Sequence, residues 1–208
     1  MRGGKIVTIE YEIRTLNIDF IEIINHIETN GGILNDVYYQ QRYVYYFTPH
    51  QEGRWIRLRS NGNVTTLTIK EIINNKIDGT QEEEIIVSDF EATNRILNKL
   101  GFISHGFQEN FRIEYRLGEV TLDIDKWAMI PPLLEIEGRS KDDVYAIVNL
   151  LKIEHQKLTT IDIKTIFREK YNINLDSIPH LSFNEKELKE IENLLLNKYP
   201  HKIGILQR

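Results

Sequence analysis

Residues 54–71 read RWIRLRSNGNVTTLTIKE, two alternating runs on either side of an Asn-Gly pair. Successive side chains of a β-strand point to opposite faces, so Arg57 and Arg59 share one face while Ile56 and Leu58 share the other. Asn-Gly between alternating runs is a strong signal for a tight hairpin turn, because both residues adopt positive φ readily. The stretch therefore predicts an antiparallel hairpin with one apolar face and one charged face.

The same alternation extends through the first two-thirds of the chain. Strands are predicted at residues 5–14, 37–47, 54–59, 65–71, 82–87, 108–117, 119–125 and 133–137. Helical spacing predicts helices at residues 17–30, 140–151, 159–170 and 183–198, the last opened by a capping box of Ser182 and Glu185. Another helix is predicted to open at a capping box in residues 88–91 and to close at Gly101.

Many short strands linked mostly by hairpins favour an antiparallel sheet or barrel. We therefore expect an α+β fold, in which an antiparallel closed β-barrel of about eight strands has helices packed on its outside. No linker, repeat or low-complexity tract divides the chain, so residues 1–208 are expected to form a single domain. The barrel strands are expected within residues 5–138, and a helical C-terminal cover within residues 140–208.

Composition excludes several classes of site and partner. The 208 residues include no cysteine, which excludes a disulfide framework, a thiolate zinc site and a cysteine nucleophile. The six histidines lack the spacing of metal ligands. A net charge of −5 argues against a nucleic-acid partner held by bulk electrostatics. Because no apolar run suits a signal peptide or a membrane span, we expect a cytoplasmic protein with no membrane partner; a homodimer is left open.

The charged strand faces carry an unusual set of residues. Nearly all are Glu, Asp or Arg, and like charges repel on one strand face unless opposite charge lies between them. The acidic pairs are Glu10/Glu12, Glu82/Glu84, Asp123/Asp125 and Glu135/Glu137, and the basic pair is Arg57/Arg59. The alternative explanation is a one-layer sheet with a solvated charged face. Because there are helices enough to cover an apolar exterior, we expect the charged face to line the lumen of a barrel.

A lumen with acidic clusters on one side and arginines on another suits one class of ligand. Carboxylate oxygens bind hard cations such as Mg²⁺ or Mn²⁺, which keep positions open for phosphate oxygens. Guanidinium groups bind phosphate oxygens in a bidentate manner. A metal and arginines around a polyphosphate are what phosphoryl transfer needs, because its catalysis is mostly positioning and charge neutralisation.

A series of short motifs runs along these strands in a defined order. It consists of Glu10-Tyr11-Glu12-Ile13-Arg14, Trp55-Ile56-Arg57-Leu58-Arg59, Thr68-Ile69-Lys70, residues 82–89, Leu100-Gly101-Phe102, Arg112 with Tyr115, residues 122–127 and residues 134–138. The series resembles the ExExK signature and the later motifs of the CYTH superfamily, the triphosphate tunnel metalloenzymes, over residues 5–170. That superfamily includes class IV adenylyl cyclases, thiamine triphosphatases and inorganic tripolyphosphatases.

The resemblance implies a role for each charged residue of the lumen. The implied metal ligands, for Mg²⁺ or Mn²⁺, are Glu10, Glu12, Asp123, Glu135 and Glu137. The implied contacts to a small-molecule triphosphate substrate are Arg14, Arg57, Arg59, Lys70 and Arg112, with Arg14 and Lys70 as the catalytic residues. The implied supporting carboxylates are Glu82, Glu84 and Asp125.

Three positions depart from the family pattern. Arg14 replaces the lysine of the signature, which keeps the charge but not the compact ammonium. Asn110 stands where the strand of Arg112 would carry a lysine, and Tyr43 stands where many members have aspartate. The lost lysines bear on catalysis more than on ligand binding.

Three functions fit this apparatus. We expect a metal-dependent enzyme that hydrolyses the terminal phosphate of tripolyphosphate or of an organic triphosphate, because the sequence shows no motif that reads a purine. The first alternative is a class IV adenylyl cyclase that converts ATP to cyclic AMP and pyrophosphate, with Tyr43 and Tyr45 as the first candidates for adenine contacts. The second alternative is a non-catalytic polyphosphate or nucleotide sensor.

Overall fold

Eight antiparallel strands close into a barrel in the computed structural model, which describes residues 8–206. The strands are β1 (Thr8–Leu16), β2 (Ile33–Tyr46), β3 (Arg54–Ser60), β4 (Thr65–Ile72), β5 (Thr80–Val87), β6 (Ser104–Leu117), β7 (Val120–Trp127) and β8 (Leu133–Gly138). They pair in the order β1-β8-β7-β6-β2-β3-β4-β5 and back to β1. The predicted closed antiparallel barrel is confirmed; residues 5–7 of the first predicted strand lie outside the described residues.

The β3–β4 hairpin forms around the turn that the sequence predicts. Arg57 lies opposite Thr68, so both side chains point into the barrel. At the turn, the Asn61 side chain accepts a hydrogen bond from the backbone N–H of Val64 at 2.8 Å, and Gly62 has a φ of +88°. A side chain at that φ would be strained, so glycine suits the position.

Five α-helices lie outside the barrel in the part of the chain that the structure describes. They are α1 (Phe20–Thr29), α2 (Phe90–Lys99), α3 (Lys141–Leu150), α4 (Ile163–Tyr171) and α5 (Glu185–Lys198). The short strands β9 (Leu158–Thr159) and β10 (His180–Leu181) extend the sheet beside β1 and β6. Pairing of β9 with β1 is why α4 begins later than the predicted residue 159. Between residues 8 and 206, no helix combines the length and apolar character needed to cross a bilayer.

The helix caps differ from the two predicted capping boxes. Asp89, rather than Ser88, caps α2 and accepts a hydrogen bond from the backbone N–H three residues later at 2.6 Å. Asn184 and Glu187 form the capping box of α5, two residues after the predicted pair. Asp and Asn cap a helix at least as well as Ser, so the sequence offers adjacent caps and packing decides between them.

The hydrophobic core lies between the outer wall of the barrel and the helices. Strand residues such as Leu122 and Ile136 are fully buried against helix residues such as Ile24 and Leu195. A smaller cluster under α2 consists of Tyr45, Ile56, Leu58 and Leu97. Each aliphatic side chain buried in this way contributes about 1.5–3 kcal/mol. Because the apolar faces point outward, the inward faces are left to polar and charged residues.

A buried ion pair fastens α5 to the loop between β7 and β8. The Lys126 ammonium donates to the Glu187 carboxylate at 2.8 Å and to the backbone carbonyls of Trp127 and Ile130 at 2.8 and 2.7 Å. The backbone N–H of Met129 donates to the same Glu187 oxygen at 2.8 Å. All three lysine protons have acceptors, so this buried charge is fully satisfied.

Candidate active site

A cavity of about 670 Å³ runs through the barrel, and its walls are predominantly polar. Twelve of the thirteen charged residues singled out from the sequence line it: Glu10, Glu12, Arg14, Arg57, Arg59, Lys70, Glu82, Glu84, Arg112, Asp123, Glu135 and Glu137. The thirteenth, Asp125, is fully buried behind Arg112 and does not reach the cavity. The charged strand faces therefore point inward, and the solvated one-layer sheet is excluded.

The carboxylates of β1, β8 and β7 form an acidic wall. Glu12 on β1 lies opposite Glu137 on β8, and Glu135 on β8 lies opposite Asp123 on β7. Glu10, one inward position before Glu12, completes the wall on the side of β5. Side chains directly opposite each other on neighbouring strands have Cβ atoms about 4.5–5.5 Å apart, so these groups share one electrostatic environment.

Two arginines are interleaved with this wall. The Arg14 Nε donates to Glu135 Oε1 at 2.7 Å, and its guanidinium also contacts Glu12. The Arg112 Nη2 donates to Glu135 Oε2 at 2.8 Å, and its guanidinium contacts both Asp123 and Asp125. With the arginines between them, no three acidic or histidine side chains within residues 8–206 converge on one point as ready ligands of a metal ion.

The carboxylates of the acidic wall nevertheless outnumber the cations that reach them. Burial, which outweighs the attraction of Arg14, raises the pKa of Glu12 to about 8. Burial likewise raises the pKa of Asp123 and of Glu137, and the charges of neighbouring carboxylates add to both shifts. Glu135 differs, because Arg14 and Arg112 hold the pKa of that carboxyl well below its usual range against the effect of burial. Added positive charge would therefore be stabilised beside Glu12, Asp123 and Glu137.

The opposite side of the lumen is basic. Lys70 on β4 lies 3.2 Å from Glu10 Oε2 and also contacts Glu82. Arg57 and Arg59 on β3 share Glu84, at 3.3 and 3.8 Å. The positive charge of Arg57, with burial, lowers the pKa of Arg59 to about 9. An anion placed beside Arg59 would therefore be stabilised.

Residues 8–159 match the family model of the CYTH domain. The chain belongs to the CYTH family. No curated protein sequence matches this CYTH protein.

Several solved structures share the fold. A protein from Pyrococcus horikoshii OT3 has 20% identity and a TM-score of 0.66, covering 74% of this chain and 96% of its own. A candidate adenylate cyclase from Vibrio parahaemolyticus has 12% identity and a TM-score of 0.67, covering 77% and 98%. A candidate adenylyl cyclase from Hippeastrum, reported to have a dominant triphosphatase activity, has 14% identity and a TM-score of 0.53, covering 80% and 98%. At these identities the likeness concerns the fold.

Membership of the CYTH family implies a divalent metal, and the acidic wall of this CYTH domain fits one. Asp123 Oδ1 is buried without a hydrogen-bond partner among the described residues, although the other oxygen of that carboxylate contacts Arg112. Oxygen donors of Asp and Glu are the ligands that Mg²⁺ and Mn²⁺ prefer. Glu10, Glu12, Asp123, Glu135 and Glu137 are the residues predicted to hold the ion, and Arg14 and Arg112 occupy the two oxygens of Glu135 in this structure.

Tyr43 and Tyr45, the sequence-based candidates for adenine contacts, point away from the lumen of this CYTH domain. Tyr43 stacks on Phe90 with ring centroids 5.3 Å apart, and the Tyr45 hydroxyl donates to Asn94 at 2.8 Å beneath α2. That expectation was wrong because the alternation of β2 places Val44 and Tyr46, not their odd-numbered neighbours, on the inner face.

Sequence reasoning missed three features of the cavity wall. The first is Arg42, which follows the same inward alternation on β2 as Val44 and Tyr46. The second is an aromatic pair, since Tyr46 and Trp55 lie opposite each other on β2 and β3 and both line the cavity. Period-two alternation along residues 40–46 places Arg42 and Tyr46 on the inward face and is the sequence signal for both.

The third feature is the segment that leads into α4, which lines the end of the cavity beside the aromatic pair. Arg14 Nη1 donates to the backbone carbonyl of Ile161 at 3.1 Å. Lys164 forms an ion pair with Asp176 at 2.8 Å, and its ammonium lies 4.3 Å from the centroid of the Tyr46 ring. Nothing in the helical pattern of residues 159–170 signals that this helix would lie against the barrel mouth.

Proposed function

We propose that this CYTH domain is a divalent-metal-dependent triphosphatase that hydrolyses the terminal phosphate of tripolyphosphate or of a small organic triphosphate. The observation that carries the proposal is the division of one lumen into an acidic wall on β1, β8 and β7 and a basic wall on β3 and β4. On one side of this lumen, a chain of phosphates would contact the cationic side chains of β3 and β4. On the other side, it would contact a cation bound by the acidic wall.

The arginines and the lysine of the lumen would bind and orient the phosphates. Guanidinium groups of Arg57 and Arg59 present paired N–H donors to phosphate oxygens, and such charge-assisted contacts are about twice as strong as neutral ones. Arg112 and Arg14 lie at the acidic wall, where their charge also offsets the mutual repulsion of the carboxylates. Lys70 lies beside Glu10 and would contact the phosphate nearest β4.

A bound divalent ion would supply Lewis-acid neutralisation of the phosphate oxygens. The protein's own contribution is to hold the phosphorus in line with an attacking water and to keep the developing negative charge among fixed cations. The lumen suits this task because its charged residues are held in rigid strands and by cross-strand ion pairs, so little rearrangement is needed when charge develops. Arg14, in place of the family's lysine, retains a positive charge at this wall.

A second candidate function is cyclisation of ATP, which the aromatic pair favours. Tyr46 and Trp55 provide ring surface at one end of the cavity, next to Lys70 and Arg57 in the strand register. A purine or another aromatic group of an organic triphosphate could stack there while its phosphates extend toward the arginines. The same observation suits hydrolysis of an aromatic organic triphosphate, so the reaction itself must be measured.

Product analysis separates these proposals. The purified protein is incubated with Mg²⁺ or Mn²⁺ and, in separate reactions, tripolyphosphate, ATP and thiamine triphosphate. We expect orthophosphate from tripolyphosphate at a rate at least equal to that from ATP, because a charged lumen recognises phosphates rather than a base. Cyclic AMP and pyrophosphate from ATP, with inert tripolyphosphate, would establish the cyclase. Binding of all three compounds without turnover in either metal would establish the sensor.

A further inference from the structure

Arg42 on β2 is a buried cation that lies at the cavity wall and contacts only neutral acceptors within residues 8–206. Its side chain lines the cavity although the residue is only 6% exposed. Its guanidinium donates to Gln40 Oε1 at 3.0 Å and to Asn110 Oδ1, both of them neutral groups. Within residues 8–206, no Asp or Glu oxygen lies within ion-pair distance of it. The Arg42 Nε is buried and has no acceptor among the residues that the structure describes.

The other partly buried arginines of the lumen each contact at least one carboxylate. Arg112 contacts three, Arg14 and Arg57 contact two each, and Arg59 contacts one. Arg42 is linked to an acidic group through Asn110, which accepts a hydrogen bond from Arg42 and donates one to Asp125 at 3.1 Å. A buried charge without a counter-charge costs several kcal/mol of folding free energy. This cost favours a functional role for Arg42.

The surroundings of Arg42 hold further positive charge. Arg42 lies directly opposite Arg59 in the β2–β3 register, and like charges in that relation repel. Burial lowers the pKa of Arg42 well below its usual range, and the charges of Arg57, Arg59 and Arg112 lower it further. An anion placed between Arg42 and Arg59 would relieve both the repulsion and the cost of burial.

The Arg42 guanidinium is also held in a fixed orientation. It lies 4.4 Å from the centroid of the Trp127 ring, a cation–π contact with a ring that is only 2% exposed. The amides of Gln40 and Asn110 fix the edge that they contact. A guanidinium held in place by a ring face and two amides is preorganised for a bidentate anion, because little side-chain entropy remains to be lost.

We propose that Arg42, together with Arg59, forms an anion subsite on the β2–β3 wall that binds one phosphate group of the substrate. This inference rests on the proposed function and adds a residue that the charged-strand motifs do not include. It also gives a structural consequence to Asn110, the position where the family pattern has a lysine: the positive charge beside it comes from β2. Arg42 contributes to substrate binding and takes no part in proton transfer during the reaction.

The test compares Arg42→Gln, Arg42→Lys and Arg54→Gln with the wild type. Arg54 is the matched control, because it lies on β3 but outside the lumen, where it pairs with Glu71. Binding of inorganic tripolyphosphate is measured by calorimetry in the presence of chelator, so that no turnover occurs. KM and kcat are measured separately with Mg²⁺ or Mn²⁺, and melting temperatures monitor folding.

We expect Arg42→Gln to weaken tripolyphosphate binding by about 10- to 100-fold, as for loss of a charge-assisted contact. KM should rise with little change in kcat, Arg42→Lys should fall between the two, and Arg54→Gln should bind as the wild type does. If Arg42→Gln does not fold, the Arg42→Lys variant carries the test, because it keeps the charge but loses the bidentate fork.

Two results would overturn the inference, and they are distinguishable. If the wild type binds tripolyphosphate and Arg42→Gln or Arg42→Lys binds it equally well while melting at a lower temperature, Arg42 is a packing residue on Trp127 and the proposed function stands. If the wild type itself binds no tripolyphosphate with or without metal, the proposed function falls and the anion subsite falls with it.

Discussion

Replacement of Glu135 by Gln tests the acidic wall at its most connected residue. Glu135 lies on β8 between Arg14 and Arg112, at 2.7 and 2.8 Å, and its side chain is 12% exposed. Gln has nearly the same shape but carries no charge. The substitution therefore removes one negative charge from a buried cluster and leaves the volume of the site unchanged.

The magnitude follows from the two contacts. The carbonyl oxygen of the glutamine side chain can still accept a hydrogen bond from one of the two arginines. The other arginine then faces the NH₂ group of the glutamine, which cannot accept. A hydrogen bond between charged groups contributes about 1.5–3 kcal/mol, so after the relief of repulsion toward Glu12 and Asp123 we expect a net loss near 2 kcal/mol. For a chain of this length, 1 kcal/mol shifts the melting temperature by roughly 2–4 °C, which places the expected drop at about 4–8 °C.

The effects on ligands should have opposite signs. Metal-dependent turnover should fall at least about 100-fold if Glu135 is a metal ligand, as proposed. Binding of tripolyphosphate in chelator should become tighter, because Arg14 and Arg112 lose their shared counter-charge and the lumen gains one unit of positive charge. A residue with only a structural role would weaken both properties together.

The assays are orthophosphate release at increasing Mg²⁺ or Mn²⁺, calorimetry with tripolyphosphate in chelator, and thermal melting. Glu119→Gln is the control, since Glu119 is 64% exposed and pairs with Arg139 outside the barrel. Turnover of Glu135→Gln equal to that of the wild type at the same metal concentration would refute the role of Glu135 in metal binding. Weaker binding of tripolyphosphate in chelator would refute the electrostatic argument.

The remaining predictions concern metal, substrate, pH and the C-terminal helix. Exhaustive dialysis against chelator should abolish turnover, and Mg²⁺ or Mn²⁺ should restore it; full activity in chelator would contradict the metal requirement. Arg57→Ala should raise KM by about 10- to 100-fold, whereas Arg54→Ala should leave KM unchanged, as steady-state kinetics can check. Because the folded pKa of Glu135 lies below its unfolded value near 4.3, its contribution to stability is full above that pH and is lost on acidification. The difference in melting temperature between wild type and Glu135→Gln should therefore shrink from pH 6 to pH 3, and a constant difference would contradict the ion-pair assignment. Glu187→Gln should destabilise the fold by about 3 kcal/mol, because it leaves the buried Lys126 ammonium without its counter-charge. Denaturant unfolding would measure this loss, and tripolyphosphate binding per folded molecule should stay unchanged.

The barrel and its charged lumen could be predicted from sequence because alternation is a local property. The period of two decides which side of each strand carries the charged residues, as it does for residues 57 and 59. Because the predicted helices are enough to cover an apolar exterior, the charged faces are expected to line the lumen rather than to face solvent. The same rule placed Glu12, Asp123 and Glu135 on the inner face, where the structure has them.

Contacts between strands were beyond the reach of that rule. That Arg14 and Arg112 both contact Glu135 depends on the register of β1 with β8 and of β6 with β7, set by the closed sheet as a whole. Asp125 illustrates the limit, because it shares a face with Asp123 yet is shut off from the cavity by the Arg112 side chain.

Aromatic residues on β2 misled the prediction for a different reason. Tyrosine suits a wall, a core or a ligand site equally well, so the run of tyrosines between residues 38 and 46 carries little information about direction. The partners, Phe90 and Asn94 on α2, show that Tyr43 and Tyr45 belong to the outer core. Arg42 gave no signal in the charge pattern because residues 40, 44 and 46 on its strand face are uncharged.

The barrel can close only late in synthesis, because its first strand pairs with its last. β1 pairs with β8, and the contact between Arg14 and Glu135 spans 121 residues. At roughly 5–20 residues per second on the ribosome, the first strand waits many seconds for its second neighbour. Until β8 emerges, the nascent sheet has two open edges and an apolar outer face that α3 and α5 do not yet cover. Non-local pairing of this kind slows folding, so nascent chains stalled between β7 and β8 should be the species that chaperones bind most.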